Sequence, residues 1–272
     1  MQLANKRILL TGATGGIGQH LARQLARKGA KLALVGRDTA KLENLAHEIK
    51  HKGGYASILV ADFETADAVN QVALQATAQL GGVDILINNA AILDFIQFED
   101  QSPARIAQMI NTNVTAPLQL AHALLPQFKT QNQGHFVMIG SILGSLGFPH
   151  YATYCATKFA IHGFSQALRR ELVNTNIGVT YIAPRGVNTP MNDANTLAML
   201  AKTGGNVDEP EYVATRIVNA LEKEKQEVFI GQPESFFAWL NGVMPSVVNI
   251  GLKKQTQLAQ AFAARKSGNS NT

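Results

Sequence analysis

Cysteine is nearly absent from this sequence of 272 residues: only Cys155 occurs, so no disulfide can staple the chain and a reducing, cytoplasmic setting is expected. A lone thiol in an apolar stretch reads as a small core residue. Charge is sparse too. Asp, Glu, Lys and Arg make up 16% of the residues, below the roughly 25% of an average soluble protein. The 24 Lys and Arg exceed the 19 Asp and Glu, for a net charge of +5, yet they are scattered rather than gathered into a stripe. That scatter argues against nucleic acid as a partner. No metal site is read from the sequence, and there is no fixed-period repeat or low-complexity linker. Residues 1–7 lead into a strand too short for a signal-peptide core, so export is not expected.

What is plentiful is apolar sequence, 46% of the chain. Apolar runs of strand length fall at Arg7–Leu10, Lys31–Val35, Ala56–Ala61, Val83–Ile87, His135–Ile139, Gly178–Ala183 and Glu227–Ile230. Segments of helical period lie between them, near 16–29, 39–52, 65–80, 103–129, 152–175 and 209–225. This alternation, with strands apolar on both faces, predicts an α/β fold: a doubly wound parallel sheet of seven strands with helices on both faces. The sheet unit is expected over residues 1–230, followed by an apolar and basic helical extension over 231–272. Ligands of such sheets bind beyond the carboxyl ends of the strands.

The first of those ends is Thr11-Gly12-Ala13-Thr14-Gly15-Gly16-Ile17-Gly18, between an apolar strand and an amphipathic helix. Unpaired N–H groups and the helix dipole make this junction a seat for a pyrophosphate. The second strand ends in Gly36-Arg37-Asp38. A carboxylate at this point would bind a ribose 2′-hydroxyl, whereas an arginine accommodates a 2′-phosphate, so Arg37 favours NADP(H) over NAD(H). Asp38 directly precedes a helix and reads as its cap. After the third strand come Asp62 and Phe63; Asp62 is placed either to accept from an adenine amino group or to cap the helix from Thr65.

Tyr154 and Lys158 stand four apart near the start of a helix, on one face. A nearby lysine cation favours the phenolate, and bringing a tyrosine from about 10 to near 7 takes about 4 kcal/mol. Tyr151 is the rival, but Cys155 four residues on supplies no cation. Ser141, directly after the fifth strand and Gly140, is placed to hydrogen-bond a substrate oxygen as charge develops on it. Ser145 is the alternative.

In this order, the residues resemble those of the short-chain dehydrogenase/reductase family, from about Lys6 to Ile230. Its glycine motif is matched by Thr11, Gly12, Gly16 and Gly18, and its Asn-Asn-Ala-Gly motif by Asn88-Asn89-Ala90 with Ala91 in place of the last glycine. Its active-site set falls on Asn113, Ser141, Tyr154 and Lys158. The resemblance implies a Rossmann-type fold and an NADPH-dependent reductase of carbonyls, reversibly an alcohol dehydrogenase. Tyr154 would be the general acid/base, Lys158 the holder of the nicotinamide ribose, Ser141 the support of the oxygen, and the Asn113 region the seat of a water. Asn111 competes with Asn113. Ile17 in the glycine turn, Asn89, Ala90 and Thr189 would touch the cofactor. Arg185 stands where the family often has glycine, which implies a differently shaped loop beside the nicotinamide.

The expected substrate is small, uncharged and apolar, under a lid over 191–206. The resemblance also implies a homo-oligomer pairing through helices 103–129 and 152–175. The extension crowds Phe236, Phe237, Trp239, Leu240, Val243 and Met244 together, and carries Lys253, Lys254, Arg265 and Lys266 with no acidic residue after Glu234. Asn241, Gly242, Pro245, Ser246, Asn249 and Gly251 argue against a membrane span. The extension therefore reads as a pocket wall, a subunit contact, or a peripheral membrane contact over 235–266. A nucleotide-binding or sensing protein without turnover is the alternative function.

Overall fold

The computed structural model describes residues 1–64 and 68–267, the side chains of 264–267 excepted. Seven strands form one parallel sheet: β1 (Arg7–Leu10), β2 (Lys31–Gly36), β3 (Tyr55–Val60), β4 (Ile85–Asn88), β5 (Gly134–Ile139), β6 (Ile177–Pro184) and β9 (Glu227–Ile230). Their order is β3-β2-β1-β4-β5-β6-β9, and every pairing is parallel. A separate parallel pair joins β7 (Gly186–Val187) to β8 (Val207–Asp208).

The period of two along each strand divides the core into two layers. Ile8, Leu10, Ile85, Ile87, Val137 and Ile139 face one way, onto α1 (Gly16–Arg27), α2 (Thr39–His51) and α8 (Pro210–Glu222). Leu9, Leu86, Phe136 and Met138 face the other way, onto α3 (Ala68–Leu80), α5 (Ala116–Thr130) and α6 (Ala152–Glu171). Burying each such side chain contributes roughly 1.5–3 kcal/mol, so a sheet covered on both faces is strongly favoured over an open one.

The sequence reading places these elements to within a few residues; the helix expected over 152–175, for example, ends at Glu171. One element departs in kind. The single helix expected over 103–129 is α4 (Pro103–Ile110), a π turn over Asn111–Thr115, and α5. Pro117 has no N–H to give the Asn113 carbonyl four residues back, so α-helical hydrogen bonding cannot run through this point. The predicted start of α3 near Thr65 lies outside the described residues.

The segment 191–206, expected as a lid, carries α7 (Ala194–Thr203), capped at its start by Asp193, which accepts from Thr196 N at 2.8 Å. The extension forms α9 (Glu234–Val243) and α10 (Pro245–Ser267). Asn241, Gly242, Asn249 and Gly251 do not interrupt these helices; the chain breaks only around Met244-Pro245, where proline is tolerated at a helix start. Among the described residues no helix is long and apolar enough to cross a membrane. Arg265 and Lys266, part of the predicted basic face, have side chains outside the described residues.

Candidate active site

The chain order reverses between β1, flanked by β2, and its other neighbour β4, and the crevice beyond their carboxyl ends is stitched by hydrogen bonds. Thr11 Oγ1 accepts from the backbone N–H of Asn89 and of Ala90, each at 3.0 Å. Asn89 Nδ2 donates to the carbonyls of Thr11 and Gly12 at 3.1 and 3.0 Å. The glycines follow from closeness. Gly12 has φ of +62°, and a Cβ there would stand 2.8 Å from Ala90 Cα. At Gly16 a Cβ would meet Thr189 Cγ2 at 2.3 Å, and at Gly18 the Gly12 carbonyl at 2.0 Å. The first turn of α1 carries no side-chain cap and no acidic residue, so its N–H groups and partial positive charge face the crevice.

From this turn a cavity of about 750 Å³ runs along the sheet to the extension. Gly12, Gly16, Ile17, Arg37, Asp62, Phe63, Asn89, Ala90, Ser141, Tyr154, Lys158 and Thr189 all line it. Thr11, Gly18 and Asn113 stand behind its wall. Asp38 caps α2, accepting from Lys41 N at 3.0 Å, and does not line the cavity. Asp62 Oδ1 accepts from Glu64 N at 3.2 Å. Lys41 was not legible as a site residue: it stands in the first turn of α2, just past the cap Asp38, and lines the cavity with Arg37.

Asn113 is buried, whereas Asn111 is exposed. Its side chain is fully engaged: Oδ1 accepts from Ile92 N at 2.8 Å, and Nδ2 donates to Ile92 O at 2.8 Å and Thr157 Oγ1 at 3.1 Å. The Asn113 side chain thus ties the loop after β4 to α6. Ser145, the alternative serine, does not line the cavity; its Oγ lies 3.0 Å from His162 Nδ1, and His162 in turn meets Glu227.

Tyr154 is hydrogen-bonded to Ser141, and Lys158 Nζ lies 5.6 Å from its ring centroid. Tyr151 instead bonds Thr196 of α7. Burial raises the Tyr154 hydroxyl well above its ordinary value, and the Ser141 bond only partly opposes this. The expectation of a lysine-lowered tyrosine is thus reversed, because desolvation of the phenolate is the larger effect at this depth. The same burial pushes Lys158 down to about 8, although Nζ donates to Ile139 O at 2.9 Å.

This buried lysine makes a testable cost. Its affinity for a proton falls from an ordinary 10.5 in the unfolded chain to about 8 in the folded one, so between these values unfolding takes up a proton and stability rises with pH. Below pH 8 the full penalty applies, on the order of 3 kcal/mol. Lys158→Met is expected to be more stable than the parent to urea at pH 7, with the advantage shrinking between pH 8 and 10.5. An advantage independent of pH would refute this account.

Beyond Tyr154 the cavity turns apolar. Leu143, Phe148, Met199 and Leu200 line it together with Phe237, Leu240, Val248 and Leu252 of the extension. Ala259 and Ala263 are fully buried against Phe95, Tyr151, Tyr154 and Met199. Of the roles read for the extension, the pocket wall is the one this packing displays. Arg185, expected to reshape the loop beside a nicotinamide, turns to ion pairs: 2.7 Å to Asp208 and 2.9 Å to Glu234. Glu234 also accepts from Asn206 N and Nδ2 at 3.1 and 2.8 Å.

Comparison with known proteins places this arrangement. The family model described as short chain dehydrogenase matches residues 6–199. The ketoacyl reductase HetN of Nostoc sp. is 31% identical over 85% of this chain and 80% of its own. A short chain dehydrogenase from Burkholderia cenocepacia, solved in complex with NADP, superposes with a TM-score of 0.78 at 25% identity, over 86% of this chain and all of its own. A Burkholderia phymatum structure in complex with NAD, 22% identical with a TM-score of 0.82 over 91% of this chain and 96% of its own, shares the fold.

Proposed function

Because this chain belongs to the short chain dehydrogenase family, we propose that it is an NADP(H)-dependent oxidoreductase that interconverts an apolar carbonyl compound and its alcohol. The observation that carries the reading is the single cavity in which Tyr154, Ser141 and Lys158 lie between a glycine cradle and an apolar wall. The residues fit the dinucleotide. A Cβ at Gly12 or Gly16 would fill the cradle, and Arg37 and Lys41 are the cations at its far end. Gly12 to Ile17 would hold the pyrophosphate, Arg37 and Lys41 the 2′-phosphate, Asp62 and Phe63 the adenine side, and Asn89, Ala90, Thr189 and Lys158 the nicotinamide half.

The bound dinucleotide supplies the hydride that the carbonyl carbon gains. Tyr154 gives its proton to the carbonyl oxygen, so that an alcohol results, and its raised proton affinity keeps it in the donor form at neutral pH. Ser141 donates a hydrogen bond to the same oxygen as negative charge grows there. Lys158, buried beside the ring, favours the phenolate left behind and helps the reverse reaction. Asn113 holds the frame through Ile92 and Thr157. The same proposal includes self-association through α5 and α6, a reading supported by the exposed Phe159, in a cytoplasmic setting.

The test is NADPH consumption by the purified protein against aldehydes and ketones of increasing chain length. Each methylene buried on the apolar wall is worth about 0.8 kcal/mol, so kcat/KM is expected to rise roughly three- to fourfold per carbon until the wall is filled. Tight NADPH binding with no consumption across the whole panel would favour the sensing alternative.

A further inference from the structure

The helices that wall the cavity also present an apolar face to the outside. On α9, Phe236, Trp239 and Val243 recur at helical spacing and are 50%, 61% and 62% exposed; on α10, Ile250 is 78% exposed. Phe237 and Val247 belong to both sides, for they line the cavity and are nearly half exposed, so the rim of the cavity merges with this face. Apolar exposure this concentrated marks an interaction surface.

After Glu234 the segment carries charge of one sign. Lys253 and Lys254 are exposed three and four residues after Ile250, and Lys202 is exposed on α7, which packs against α10. Glu234, the last acidic residue of the sequence, is turned inward onto Arg185 and Asn206. Large aromatic and aliphatic side chains followed by exposed lysines, with no acidic residue after Glu234, complement a bilayer with anionic headgroups: the side chains enter the acyl boundary while the ammonium groups stay at the phosphates. We propose that α9 and the first half of α10 dock on an anionic lipid surface, with the cavity rim held against it, so that a lipophilic substrate enters from the bilayer rather than from water.

Trp239 is the only tryptophan in the chain, so its emission reports this face in the native protein. On addition of phosphatidylcholine vesicles containing phosphatidylserine, the emission is expected to shift to the blue and the protein to float with the vesicles; high salt reverses both. Phosphatidylcholine alone gives a much weaker response. Lys253→Ala/Lys254→Ala is expected to lower partitioning roughly tenfold or more. Ile250→Asp is expected to abolish it while leaving the melting temperature unchanged, since that side chain is largely exposed. Emission indifferent to both kinds of vesicle overturns the proposal. So does a blue shift that grows with protein concentration alone and is lost with a dimer in Ile250→Asp, which would show that a second copy covers the face. Neither readout depends on turnover, so the lipid proposal can fail while the oxidoreductase reading stands, and the reverse.

Discussion

Tyr154→Phe is expected to lower kcat by roughly 10³-fold or more while NADPH affinity stays within about twofold of the parent. The substitution removes one oxygen and leaves the buried ring in place between Ser141 and Lys158. What it removes is the proton donor. Without it, negative charge formed on the substrate oxygen in this desolvated place is met only by the Ser141 hydroxyl. Cofactor affinity is the control, because the cradle is built from glycine backbone, Arg37 and Lys41, remote from the hydroxyl. Single-turnover measurement of NADPH oxidation separates the two. A Tyr154→Phe enzyme with parent-like turnover would end the mechanism, and a selective loss in Tyr151→Phe would move the proton donor to that residue.

At the other end of the cavity, Arg37→Ala/Lys41→Ala is expected to weaken NADPH by roughly 10- to 100-fold, while NADH changes by less than about threefold. A charge-assisted hydrogen bond is worth about 1.5–3 kcal/mol, and the low end applies because both side chains are exposed and screened. Asp38 supplies no competing ribose contact, being occupied as the cap of α2 and paired with Lys41 at 3.3 Å. Titration of both nucleotides with parent and variant decides the point. Equal losses for NADPH and NADH would place the 2′-phosphate elsewhere.

These two ends also mark what the sequence could and could not announce. Arg37 was legible because it directly follows an apolar strand, at a fixed offset from a glycine turn. Lys41 was hidden, since only the folded chain shows that the first turn of α2 stands at the cavity. The seven strands could be read because a sheet covered on both faces demands unbroken apolar runs, and it is one. The π turn was hidden, because a helix either side of Asn111–Thr115 keeps its apolar period and only the proline at 117 betrays the interruption. Tyr154 and Lys158 were legible as a pair, but the direction of the tyrosine shift was not. Spacing shows that a cation is near; only the packed structure shows how much water has been removed from both groups. The extension was least legible, because crowded aromatics read alike whether they close a pocket or meet a partner. Leu240 and Val248 turn inward while Trp239 and Ile250 turn outward, a division that appears only once the two helices are seated.

Arg185 gives this seating a mechanical meaning. One guanidinium at the end of β6 grips Asp208 just past segment 191–206 and Glu234 at the root of α9, and the same Glu234 carboxylate holds Asn206. That segment and the extension share a clasp. Displacing α7 from the cavity is therefore expected to break these contacts or to carry α9 with it, a motion of packed elements rather than of a free loop. A residue that stands where the family often has glycine thus ties together two segments that a glycine would leave without these ion pairs.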